Sequence, residues 1–320
     1  MKLFAFAVLI MALANMAWSA SVGKPGCGGS TSSKNIQLTN PKNPPRECVY
    51  KINAYSSNVC QLRIEFGYTL APPSLPGQDN DLKYVQCDKD YFQAGDVKLC
   101  GTESAQHIYL PFNRTAGVTS VELMVALANR VSYNNLPTPK WNIFVTQLEC
   151  PVGAAIRGVV PIEPALGSST IKDGFFVAPP GCLQYFPYAE GTVTSFNFDQ
   201  GKGIYPGKLN YAICFRRTED TKALVLKSNF FLLGAASEEN ETDEYCYANP
   251  TNNGISSDYL MIPQAEIKVT GKRATYFCGD SIQGVEVVST NPGPLMLLFN
   301  SDGLYTKESG FSFNYNVTTK

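Results

Sequence analysis

Ten cysteines, Cys27, Cys48, Cys60, Cys87, Cys100, Cys150, Cys182, Cys214, Cys246 and Cys278, are spread along the chain. Their number is even, and in an oxidising compartment such thiols pair into a disulfide framework. The competing reading is a zinc site, which needs closely spaced Cys-x2-Cys or Cys/His pairs. No two cysteines stand that close, and His107 is the only histidine. Five disulfides are therefore expected.

The first residues point to the same compartment. Lys2 supplies a short positive region, Leu3 to Met16 are mostly apolar, and Ala17-Trp18-Ser19 puts small residues around a cleavage point after Ser19. This is the pattern of a secretory signal peptide over residues 1–19. A membrane anchor needs about 20 apolar residues, and this run is shorter and ends in small polar ones. No later stretch comes near that length, so the mature chain is expected to be secreted, extracellular and soluble, without a membrane span. With a net charge of −1 and 17% charged residues, nothing recommends nucleic acid or an acidic membrane surface as a partner.

About 300 residues remain after the signal, a length that favours two domains. Ser, Thr, Asn, Gly and Pro are plentiful, and Ala-rich helical tracts are missing. Several runs alternate with period two. Leu62, Ile64, Phe66, Tyr68 and Leu70 share one face of a predicted strand, with Arg63, Glu65 and Thr69 on the other. Leu209 to Phe215 behaves likewise. So does Phe311 to Val317, with Ser312, Asn314 and Asn316 facing out. Shorter strands are predicted at Val49–Ala54, Val121–Ala128, Trp141–Leu148, Thr192–Phe198, Val285–Ser289 and Leu295–Phe299. Many short strands separated by Gly, Pro and Asn predict an all-β protein of antiparallel sandwiches.

Between Cys150 and Cys182 the alternation fades among prolines and glycines, which marks residues 151–181 as a linker. Six cysteines precede it and four follow, so each half can close without cross-pairing. The halves also share a signature. Cys87-Asp88-Lys89-Asp90-Tyr91-Phe92 leads to Leu99-Cys100-Gly101 in the first, while Cys246, Asp258-Tyr259-Leu260 and Phe277-Cys278-Gly279 stand in the second. A repeat at this distance indicates duplicated domains rather than a solenoid.

These residues resemble the CUB domain, a jelly-roll-like β-sandwich of extracellular proteins. The first copy shows Cys27-Gly28-Gly29, Cys48-Val49-Tyr50-Lys51-Ile52 and the Cys87 to Gly101 segment. The second shows Gly191 to Asn197, Cys214, the Cys246 to Gly279 segment, Phe299-Asn300-Ser301-Asp302 and Gly310-Phe311. Pro180 to Phe186 and Leu209 to Cys214 are similar to tandem-CUB secreted proteins of insects that carry no other domain. The resemblance implies two CUB-like domains, 27–150 and 182–318. It also implies the pairs Cys27–Cys48, Cys87–Cys100, Cys182–Cys214 and Cys246–Cys278, leaving Cys60 and Cys150 for each other.

The resemblance brings a calcium expectation. Many CUB domains hold Ca²⁺ at one end, through a Glu after the long strand, the Asp of the Asp-Tyr-Leu segment and the Asp of a Ser-Asp turn; hard oxygens converging from loops suit that ion. Asp258 and Asp302 stand at matching positions in the second half, but Leu233-Gly234 occupies the Glu position. In the first half Asp90 matches, yet Leu70-Ala71 replaces the Glu and Ala128-Asn129-Arg130 replaces Ser-Asp, with Arg130 opposing a cation. Without metal, the same aspartates serve as turn residues. No other cofactor is implied.

No catalytic residue is expected. His107 is the single candidate base near neutral pH, no Gly-x-Ser-x-Gly is present, and a structural histidine on a strand is the simpler reading. Asn113, Asn240 and Asn316 lie in Asn-x-Ser/Thr sequons and are expected glycan acceptors. The loops Leu70–Asp81, Tyr133–Pro139 and Thr251–Ser257, with Tyr84, Tyr91, Tyr109 and Tyr133 as anchors, are where recognition is expected. The expected function is non-catalytic binding of an extracellular protein or glycan. The alternatives are an accessory to a secreted protease or an effector of saliva, venom or reproductive fluid.

Overall fold

The structure is a computed structural model that describes residues 22–75, 84–112, 117–150, 173–234, 242–247, 258–303 and 308–319. The signal segment, residues 151–172 of the linker, Asn113, Asn240 and the 251–257 loop lie outside the described residues.

The first half contains β1 (Ser30–Thr31), β2 (Asn35–Thr39), β3 (Glu47–Asn53), β4 (Val59–Thr69), β5 (Tyr91–Ala94), β6 (Val97–Leu99), β7 (Thr102–Pro111), β8 (Ser120–Ala126) and β9 (Lys140–Glu149). They form two sheets, in the orders β1-β3-β8-β5-β6 and β2-β9-β4-β7. The alternation along β4 sends Leu62, Ile64, Phe66 and Tyr68 into the core, where they join Tyr50, Ile52, Phe92, Leu123 and Val125. Phe66 meets Phe92 edge-on with centroids 5.2 Å apart. Each such side chain contributes about 1.5–3 kcal/mol by leaving water. The one indole deep in this core is satisfied as well, Trp141 Nε1 donating to the Tyr50 hydroxyl at 3.0 Å.

The second half contains β10 (Cys182–Phe186), β11 (Glu190–Thr194), β12 (Asn210–Phe215), β13 (Ala223–Leu232), a single helical turn α1 (Glu244–Tyr247), β14 (Tyr259–Ile267), β15 (Lys272–Phe277), β16 (Glu286–Ser289), β17 (Met296–Asn300) and β18 (Gly310–Thr318). Its strands run in one hydrogen-bonded path, β10-β12-β17-β14-β16-β13-β18-β11, with β15 on β14. The path turns a corner inside β14. Tyr259–Met261 pair with β17, and Ala265–Ile267 pair with β16. Between them sits Gln264 at φ +47°, a conformation that bends the strand from one layer to the other.

One order thus recurs. The neighbours β3-β8-β5 correspond to β12-β17-β14, and β9-β4-β7 to β18-β13-β16. The Cys-Gly of each signature has the same conformational role. Gly101 and Gly279 both have positive φ, +80° and +54°, and their carbonyls accept from Leu70 N–H and Leu233 N–H. Such angles favour glycine, and at Gly101 a Cβ would also lie 2.0 Å from Asn197 Oδ1. The disulfides are Cys27–Cys48, Cys60–Cys150, Cys87–Cys100, Cys182–Cys214 and Cys246–Cys278.

Some strands differ from their sequence patterns. The strand predicted over Thr192–Phe198 ends at Thr194, because Asn197 turns to φ +54°. Ser312, predicted to face out, is buried where β18 runs between β11 and β13. β7 shows no alternation at Gln106–Leu110, all five being buried. One of its faces packs inside the first half, and the other is covered by the second.

That contact joins the halves through polar groups. Gln106 Nε2 donates to Ser195 O at 2.7 Å and Thr194 Oγ1 at 2.9 Å, and Gln184 Nε2 donates to Gln106 Oε1 at 3.0 Å. Asn197 N–H donates to Glu103 Oε1 at 2.6 Å, and Thr102 N–H to Asn197 Oδ1 at 3.0 Å. Tyr109 and Leu148 pack against Ala178, Tyr185 and Cys214. The described end of the Pro/Gly-rich segment is docked too. Asp173 takes the Lys34 ammonium at 2.6 Å, and Gln61 exchanges two bonds with the Ala178 backbone, at 2.7 and 2.9 Å.

Candidate functional site

The two signature aspartates occupy equivalent places at the start of β5 and β14, and both are buried. Asp90 is held by two backbone donors, and Asp258 by one backbone donor and one hydroxyl. Asp90 Oδ2 accepts from Ala71 N–H at 3.0 Å and Oδ1 from Ala128 N–H at 2.9 Å. Asp258 Oδ1 accepts from Asp302 N–H at 2.7 Å. On its other side a tyrosine intervenes: Tyr205 O–H donates to Asp258 Oδ2 at 2.6 Å and accepts from Gly234 N–H at 2.9 Å.

The halves differ in what neutralises the charge. Arg130 lies against both oxygens of Asp90. Among the described residues no cation fills that place at Asp258, where burial pushes the carboxyl up to about 7, the charges of Asp302 and Glu308 adding to the rise while the bonds from Tyr205 and Asp302 N–H oppose it.

Calcium takes 6–8 hard oxygens. In the first half a guanidinium stands where the cation would go, so the residues present do not fit the ion. In the second, both Asp258 oxygens already accept hydrogen bonds, and among the described residues no three His, Cys, Asp or Glu side chains converge as ligands. The described donors there fall short of the ion's requirement. The second half's aspartate end also lies against the first half. Gly207 N–H donates to Val85 O at 2.9 Å, and the Lys208 ammonium sits 4.7 Å over the Tyr84 ring.

His107 lies in β7, buried in the junction. Its Nε2 is 2.9 Å from Tyr185 O and 3.2 Å from Tyr185 N, so a neutral ring answers one of the two backbone groups and its tautomer decides which. Burial, helped by the Arg63 charge, lowers it to about 4 against the pull of the Tyr185 carbonyl. A ring so placed is a structural contact.

Of the tyrosines expected as anchors, Tyr109 is buried against Tyr185. Tyr84 is half-buried beside Lys208, whereas Tyr91 and Tyr133 reach the surface of the first half. Asn316 is exposed on β18, open to a glycan. The aspartate clamps were signalled by the Asp-Tyr motif. Tyr205 and the polar junction carried no sequence signal, because their partners are distant in sequence.

Among the described residues no helix is long and apolar enough to cross a membrane. Residues 179–318 match the family model of the animal CUB domain. The comparison with curated proteins gives no match. Among solved structures, the chain is similar to the CUB1-EGF-CUB2 domains of rat MASP-1 at 11% identity and a TM-score of 0.29, covering 90% of this chain and 99% of that one. It is similar to the CUB1-EGF-CUB2 domain of human MASP-1/3 at 12% identity and 0.28, covering 89% and 100%. The extracellular region of zebrafish Gpr126/Adgrg6 follows at 10% identity and 0.23, covering 93% and 37%. By the family match alone, residues 179–318 are similar to the animal CUB domain.

Proposed function

We propose that the protein is a secreted, non-catalytic binding protein whose two halves, residues 27–150 and 182–318, are both CUB modules joined by segment 151–181. The observation that carries this reading is the CUB match over residues 179–318. The recurrence of its strand order and aspartate clamp in the first half supports the extension to both modules. The ligand is an extracellular protein or glycan, bound on loops and sheet ends away from the junction.

The test is capture of partners by the tagged, glycosylated protein from extracellular fluid, with and without EGTA. Specific capture that persists in EGTA is expected, since the described donors around Asp258 do not make a calcium cage. Turnover of protease or esterase substrates that is abolished by His107→Ala would overturn the non-catalytic reading.

A further inference from the structure

The outer face of the first half holds a cavity of about 630 Å³, within the roughly 300–1,000 Å³ of small-ligand sites. Its floor follows from strand register. Glu47 of β3 and Tyr91 of β5 both pair with Ala126 of β8, so the three side chains form one row across three strands. A methyl group between two long side chains leaves a depression. Arg46, Asp88, Lys89 and Tyr133 contribute to the rest of the lining.

The lining selects among ligands by charge. Arg46 and Lys89 are balanced by Glu47 and Asp88, which disfavours a polyanion. Of the two acids, Asp88 is already engaged by Lys89 at 2.8 Å and Ser74 Oγ at 2.7 Å, which leaves Glu47 to meet an incoming amine against the charges of Arg46 and Lys89. The lining is too polar for a lipid. What remains is a ring of hydroxyls. The Glu47 carboxylate and Arg46 guanidinium serve such groups by paired hydrogen bonds and the Asn129 amide nitrogen donates, while the tyrosine rings offer apolar faces with a polar tip. Lys89 lies 4.6 Å over the Tyr133 ring, which fixes that ring while leaving it 39% exposed. The ion pair of buried Asp90 with Arg130 and the Cys87–Cys100 bridge hold the Asp88–Lys89 segment between them in place before any ligand arrives.

We propose that this cavity binds a neutral saccharide, with Tyr133 stacking on the sugar and Ala126 as the floor. The proposal rests on the reading of the protein as a binding module and names a site and ligand class for it.

The experiment is saturation-transfer NMR and calorimetry on the intact secreted protein. The probes are neutral glucose, galactose, mannose and N-acetylglucosamine di- and trisaccharides, a sulfated heparin disaccharide and a lysine-rich peptide. At least one neutral saccharide is expected to bind. Its affinity should fall at least about tenfold in Tyr133→Ala, disappear in Ala126→Leu, and hold in Tyr188→Ala, an exposed aromatic of the second half. The exposed position of Tyr133 keeps the test decisive if Ala126→Leu fails to fold. The proposal is overturned if no neutral probe binds, if only the sulfated or lysine probe binds, or if both cavity variants bind normally. Should saccharides fail while partner capture persists in Ala126→Leu, this site falls and the binding-module reading stands.

Discussion

Arg130 closes on Asp90 as a two-pronged clamp, Nη2 to Oδ2 at 2.5 Å and Nη1 to Oδ1 at 2.9 Å. The carboxylate is 1% exposed, while the guanidinium side chain keeps about a third of its surface. Removing Arg130 leaves a buried charge held by two backbone donors. Arg130→Ala is expected to cost about 3 kcal/mol, read as a shift in the denaturant midpoint of the first half. Asp90→Asn in the same chain should recover part of that loss. If Arg130→Ala is neutral, the clamp is not what holds Asp90.

The His107 ring ties stability to acid. Its folded pKa of about 4 lies below the ordinary 6.5, so the unfolded chain takes up a proton first. Stability is fully present above pH 6.5, declines as pH falls towards 4, and levels off below; the span amounts to about 3 kcal/mol. The groups facing the ring are Arg63, held by Glu65 at 2.6 Å, and the aromatics Tyr109, Tyr185 and Phe186. Thermal melts across this window should lose most of that slope in His107→Gln.

Glu103 titrates in the opposite sense. Burial is the main cause of its pKa standing well above 4.5, with the Asp199 charge adding and the Asn197 N–H opposing. The unfolded chain therefore ionises first as pH rises, and stability falls from pH 4.5 upward. Among the described residues Oε2 has no hydrogen-bond partner, and neither has the hydroxyl of Tyr68, the residue opposite on β4. Glu103→Gln keeps an acceptor for Asn197 N–H and removes the ionisation. Its melting temperature at neutral pH should exceed that of the parent, and the two should converge in acid.

The Cys60–Cys150 bridge closes a separation of 90 residues between the start of β4 and the chain just past β9. Replacing both by Ser is expected to cost about 4 kcal/mol, through the wider freedom of the unfolded chain. Limited proteolysis should then cut first near Glu149 and the docked Asp173. Unchanged resistance would show that the strand pairing alone holds this edge.

Legibility followed burial. β4 was readable because one face meets core and the other meets water, and its alternation records that difference. β7 was not, since the second half covers its outer face and replaces alternation with Glu103, Gln106 and His107, residues that look like surface. Asp90 and Asp258 were marked by the repeated Asp-Tyr signature. Their neutralisers were not equally visible: Arg130 was flagged as opposing a cation, whereas Tyr205 comes 53 residues before Asp258 from another loop. The depression over Ala126 was invisible, because it exists only once three strands are set in register.

If both halves bind, as proposed, the docking of β7 against β10 fixes how the protein meets a repetitive ligand. Two modules on a slack tether would search for their epitopes separately, and the gain from the second contact would depend on tether length. Here Gln106, His107 and Asn197 set the separation in advance. Avidity is then available only to a partner whose spacing matches that interval, which makes the junction a gauge as well as a hinge-lock.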